Sequence, residues 1–131
     1  TDYVYAGQVV TMTDALGRST EYQFDDLYRL KNEILPHPTG SDTPGSETGR
    51  PVTTFTYYAD SQIESVTEKI DGSTSRTTTY LRDDLGRLTT VVLPEASIPG
   101  MGTVSPEWNY RYDALGRIVA SRPTERCCAP T

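Results

Sequence analysis

One nine-residue pattern recurs along this chain and constrains its fold more than any other feature. Its clearest copy is Tyr110-Arg111-Tyr112-Asp113-Ala114-Leu115-Gly116-Arg117-Ile118. Tyr80-Leu81-Arg82-Asp83-Asp84-Leu85-Gly86-Arg87-Leu88 matches it, as does Tyr22-Gln23-Phe24-Asp25-Asp26-Leu27-Tyr28-Arg29-Leu30, with Tyr28 in the glycine place. Weaker copies are Phe55-Thr56-Tyr57-Tyr58-Ala59-Asp60-Ser61-Gln62-Ile63 and a shortened Tyr3-Val4-Tyr5-Ala6-Gly7-Gln8-Val9. A half-unit, Asp14-Ala15-Leu16-Gly17-Arg18-Ser19-Thr20, lies between the first two. With Gly7, Tyr28, Ser61, Gly86 and Gly116 as register points, the spacings are 21, 33, 25 and 30. The turn motif is kept while the connections vary, which is the mark of a repeat array.

The unit has a physical logic. Alternation in Tyr-x-Tyr puts both rings on one face of a strand. Asp14, Asp83 and Asp113 open a turn as acceptors for backbone amides ahead, and Gly17, Gly86 and Gly116 close it at positive φ. The residues after the glycine alternate again as a return strand, so Tyr112 is expected opposite Ile118, with Asp113 near Arg117. A lone hairpin is marginal, and neighbours must pack side by side to share a buried face. With 20 Thr and 9 Tyr but only 2 Met, the composition suits pleated structure. The expected fold is all-β: antiparallel hairpin repeats side by side in a curved or spiralling sheet. Leu27, Leu30 and Ile34, and Ile63, Val66 and Ile70, recur at helical spacing. The corresponding stretches of other copies, such as Leu88-Thr89-Thr90-Val91-Val92, are β-rich, so strands are expected there too.

About five units fill residues 1–126, leaving 127–131 as a C-terminal tail. Two Pro/Gly-rich stretches, 36–51 and 94–106, read as exposed loop insertions within the array. The net charge of −6 disfavours nucleic acid and anionic membrane surfaces as partners. No apolar run approaches the roughly 20 residues that span a bilayer. The chain opens inside a patterned segment and so reads as a piece of a longer product.

The Tyr-x-Tyr-Asp-x-x-Gly-Arg-Leu/Ile unit resembles the YD repeat of the RHS/YD-repeat family, over residues 3–122. Residues 14–25 also resemble its linked form, in which one Gly-Arg turn follows another. The family includes bacterial polymorphic toxins, insecticidal toxin-complex components and animal teneurins, in which many repeats build a spiralling sheet that closes into a shell. The resemblance implies a structural scaffold, part of a shell or stalk of a large secreted or cell-surface protein of bacterial parentage. Its partners would be neighbouring repeats of the same or another chain. Asp-Pro, found in the self-cleavage motifs of family toxins, does not occur here. The resemblance therefore extends to scaffold and not to an effector.

Enzymatic chemistry finds no foothold in the sequence. His37 is the one histidine, set between prolines in a loop and expected to be solvated. The paired acids Asp25-Asp26 and Asp83-Asp84 are explained as turn residues rather than hydrolytic carboxylates. No cofactor or metal motif is present. Cys127 and Cys128 are adjacent, too close for zinc ligation. They read as thiols of a tail or, alternatively, as an intermolecular disulfide to a neighbouring chain. Trp108, Tyr110 and Tyr112 alternate onto one face, which reads first as a packed sheet face and alternatively as a glycan or partner platform. Carbohydrate binding and self-assembly through open sheet edges thus stand beside the scaffold as further functional readings.

Overall fold

The structure, a computed structural model, describes residues 1–38, 48–70, 74–100 and 102–127, with the side chains of 98 and 124–127 outside the description. The described residues are all-β, without helix, and carry eleven antiparallel strands in two compact units, Thr1–Ser75 and Arg76–Thr131. In the first unit β1 (Asp2–Ala6), β2 (Val9–Thr13), β3 (Ser19–Phe24), β4 (Leu30–Ile34), β5 (Val52–Tyr57) and β6 (Ile63–Lys69) pair in sequence order. The second unit contains β7 (Ser75–Arg82) from Arg76 onward, β8 (Leu88–Val92), β9 (Ala96–Ile98), β10 (Gly102–Tyr112) and β11 (Ile118–Cys127). There β7 pairs β8, and β10 lies between β8 and β11.

The segments with helical spacing are strands, β4 and β6. Cross-strand pairing competes better there than a helix, because the partner strands present Thr, Val and aromatic side chains in register. Tyr112 lies opposite Ile118, and a bulge follows Arg111. The same irregularity recurs between Gln23 and Phe24, Thr56 and Tyr57, and Leu81 and Arg82. One return-strand residue is passed over each time, Val119, Lys31, Glu64 or Thr89, while the turn itself closes on a left-handed residue. Gly17, Gly86 and Gly116 have φ of 77°, 76° and 77°, and Tyr28 and Ser61 hold φ of 59° and 67° at the equivalent place.

Because consecutive hairpins of a meander alternate, the turns fall on two rims. In the first unit one rim carries the turns after β1, β3 and β5, and the other carries 14–18 and the 35–51 connection. In the second unit the turns 83–87 and 113–117 share a rim, and the link from β8 to β10 occupies the other.

Two connections differ from expectation. Residues 94–106 are not simply a loop: β9 pairs with the start of β10, Ala96 opposite Val104 and Ile98 opposite Gly102. Turn-forming residues gather at the tip, with Gly100 and Gly102 at positive φ, which leaves the flanking residues free to pair. The other connection, 36–51, is anchored at its described ends. Leu35 donates its N–H to the Pro51 carbonyl at 2.9 Å, and Arg50 is buried. His37 is half-buried, with Nε2 2.6 Å from where a Cβ on Gly49 would sit. Residues 39–47 lie outside the described residues.

Buried apolar side chains are few: Ile34, Val52 and Val104 among the described residues. Ile34 and Val52 face each other across β4 and β5, and Glu21 of β3 completes that row. A sheet with so thin a core needs other contacts to fix strand to strand.

Candidate functional site

Those contacts begin at the turns. Asp14, Asp25, Asp83 and Asp113 each direct Oδ1 at the backbone N–H groups two and four residues on, at 2.8–3.0 Å. Each directs Oδ2 at the Nε of the arginine four residues on, at 2.7–2.8 Å. In the first three the arginine adds Nη2 at 2.7 Å, a two-pronged grip that fixes the guanidinium plane. These donors favour the charged carboxylate and lower all four pKa values. The leading cause is the backbone amide of Arg18, Arg29 and Arg117 for Asp14, Asp25 and Asp113, and the Arg87 side chain for Asp83.

The gripped arginine then reaches the next hairpin along the rim. The Arg29 guanidinium carbon lies 4.6 Å from the centre of the Tyr57 ring, and that of Arg87 lies 4.7 Å from Tyr112. Both tyrosines are the last residue of their strand, and both hydroxyls donate at 2.7 Å to the carbonyl of the residue after that arginine, Leu30 or Leu88. Arg29 also reaches the Tyr58 carbonyl at 3.4 Å and Ser61 Oγ at 3.3 Å in the following turn. Aspartate, arginine and tyrosine thus form a latch, twice repeated, from one turn to its successor. A stack of this kind contributes roughly 0.5–1 kcal/mol at partly exposed sites.

This latch was hidden in the sequence, although a signal exists. Where a turn ends in Arg29 or Arg87, the next unit ends its aromatic strand in Tyr57 or Tyr112. Where it ends in Gln8 or Gln62, the next unit has Phe24 or Arg82 instead. Gln8 makes a different contact, donating from Nε2 to Asp26 Oδ1 at 3.1 Å, while its carbonyl accepts from Phe24 N–H.

A second feature gave no sequence signal. Arg50, 3% exposed, pairs with Glu21, 2% exposed, and donates to the carbonyls of Ser19 (2.6 Å), Ile34 (3.2 Å) and Leu35 (2.9 Å). One side chain from the 36–51 connection thereby ties together β3 and the end of β4. Nothing in a Pro/Gly/Ser/Thr stretch marks its arginine for burial.

The remaining candidates are placed as follows. Trp108 is 41% exposed and lies opposite Val91 and Pro123, while Tyr110 and Tyr112 are half-buried. The Tyr112 ring carries Arg87 on one face, so it is committed to the latch. Cys127 lies in β11 opposite Val104, so the strand runs one residue into the segment expected as tail; Cys128 lies outside the described residues. A shallow depression of about 300 Å³ is lined by Phe24, Asp25, Arg29, Lys31, Phe55 and Tyr57 among others. It is the hollow beside a latch, and its Asp25 and Arg29 are engaged with each other.

Residues 5–36 match the family model described as RHS Repeat. A search of curated proteins found no match to the chain.

Proposed function

We propose that this chain, which carries the RHS repeat at residues 5–36, is a non-catalytic wall segment of a larger secreted or cell-surface protein. The observation that carries this reading is the latch of Asp25, Arg29 and Tyr57, repeated at Asp83, Arg87 and Tyr112. The polar groups of the latch hold one hairpin to the next, which serves a wall. The rings that would stack on a sugar are partly used in the same way, and Trp108 is the residue that still supports a glycan platform.

The test uses cells producing the full-length parent. Surface labelling should modify this segment from outside, and external protease should leave it as an intact block. Replacing both arginines, Arg29→Gln with Arg87→Gln, should open that block to cleavage. A segment confined to the cytosol, or one equally resistant without both arginines, overturns the proposal.

A further inference from the structure

The hollow beside the first latch has a lining that the latch itself does not require. Gln8, Phe24, Asp26, Lys31 and Phe55 border it together with the latch residues. Asp83, Arg87 and Tyr112 form the second latch, where the places of Phe24, Lys31 and Phe55 are taken by Arg82, Thr89 and Tyr110. The grip is kept there without the two phenyl rings and the lysine, so the latch does not account for their convergence in the first unit.

Three chemistries meet in this hollow. Phe24 at the end of β3 and Phe55 in β5 are half-buried and give it apolar walls. Lys31 is the return-strand residue passed over between Leu30 and Asn32. An extra residue of this kind re-aims its side chain, and Lys31 borders the hollow with Phe24. Among the described residues Lys31 forms no ion pair or hydrogen bond. Asp26 is the acid: Gln8 Nε2 donates to its Oδ1 at 3.1 Å, which leaves Oδ2 open among the described residues. Asp25 and Arg29 hold each other, so the charges left to meet a ligand are one carboxylate and one ammonium.

We infer that this hollow binds a free α-amino acid with an aromatic or branched apolar side chain. The ligand's ammonium donates to Asp26, its carboxylate accepts from Lys31, and its side chain lies against Phe24 and Phe55. A simple anion is repelled by Asp26 and a simple cation by Lys31, whereas a zwitterion answers both charges at once. The volume of about 300 Å³ is at the small end of ligand sites and suits one amino acid rather than a peptide. Asp26 and Lys31 are both exposed, so water screens each contact and the affinity is modest. A wall segment can carry such a site or lack it, so the site stands apart from the wall reading.

Titration of the full chain with free phenylalanine, followed by backbone amide NMR shifts, tests this. Phenylalanine should give saturable shifts centred on Phe24, Asp26, Lys31 and Phe55. Phenylpropionate lacks the ammonium and phenethylamine the carboxylate, and each should bind about threefold to fivefold more weakly, the upper scale of an exposed ion pair. Glycine, without the side chain, should produce no saturable shift. Lys31→Thr and Asp26→Ala install the residues that other copies of the unit carry at those places, Thr89 and Ala114. Both variants should melt near wild type and bind phenylalanine weaker by the same factor. The absence of saturable shifts overturns the inference. So do shifts centred elsewhere, equal binding of phenylpropionate or phenethylamine, or undiminished binding by both variants.

Discussion

The guanidinium of Arg87 lies 4.7 Å from the centre of the Tyr112 ring, and the Tyr112 hydroxyl donates to the carbonyl of the residue after that arginine. The two residues are 25 apart in the chain but level in neighbouring strands, and Asp83 holds the arginine in place. Because the arginine is about one-third exposed, water screens part of this attraction. Arg87→Gln should cost roughly 0.5–1 kcal/mol in urea unfolding. Its effect should shrink in a Tyr112→Leu background, and additive losses would show that the two do not interact.

Tyr112→Phe keeps the ring beneath Arg87 and removes the hydrogen bond to Leu88. The expected loss is about 1 kcal/mol, as for one part-buried hydrogen bond. Tyr57→Phe should behave alike, since its hydroxyl donates to Leu30 at the same 2.7 Å. Unchanged unfolding midpoints in both variants would remove the hydroxyl from the latch.

The turn-closing position separates conformation from packing, because no atom lies within 4 Å of a Cβ built on Gly116. Gly116→Val should cost about 1–3 kcal/mol purely through its φ of 77°. The reverse change at Tyr28, 80% exposed with φ of 59°, should gain stability. Tyr28→Gly relieves about 1–2 kcal/mol of left-handed strain and gives back about 0.5–1 in chain entropy, a net rise of about 0.5–1 kcal/mol. Thermal melts of the two variants moving in the same direction would contradict this.

The buried pair of Glu21 and Arg50 is the costliest place to cut. Arg50→Met leaves a charge without its partner and three carbonyls without their donor, and should cost about 3–5 kcal/mol. Adding Glu21→Leu should restore part of that loss by removing the stranded carboxylate. A double variant as unstable as the sum of the two single ones would show that the pair is not coupled.

The four turn aspartates also set the acid limit. Their folded pKa values are lowered, so their contribution is complete above the unfolded value of about 3.9 and fades as pH falls through the lower folded values. The melting temperature should fall on acidification below pH about 4, and the fall should be smaller in Asp83→Asn. An acid profile flat down to pH about 2 would exclude the carboxylates from holding the turns.

Much of this architecture is legible in the residues, and the reason is local chemistry. Asp113, Gly116 and Arg117 lie within five positions, and their hydrogen bonds close inside one turn, so a repeated motif reveals them. The Tyr112–Ile118 register follows from the turn length. The latch is less visible because its halves belong to different units, and only comparison of Arg29 with Tyr57 and Arg87 with Tyr112 exposes it. Arg50 leaves no trace at all, since its burial depends on carbonyls of β3 and β4 that the fold brings to it. The short β9 was masked by the prolines and glycines around it, whose turn-forming role is confined to the tip.

The two rims of each unit carry different duties, and this bears on how such a chain can diversify. Both latches lie on one side of their unit, and the spacings of 33 and 30 are lengthened by the 35–51 and β8-to-β10 connections on the other. There a lineage can gain or shed residues without disturbing a single stacked ring. New epitopes, glycosylation sites or grafted peptides would find their tolerant address on that side, with the gripping side left as written.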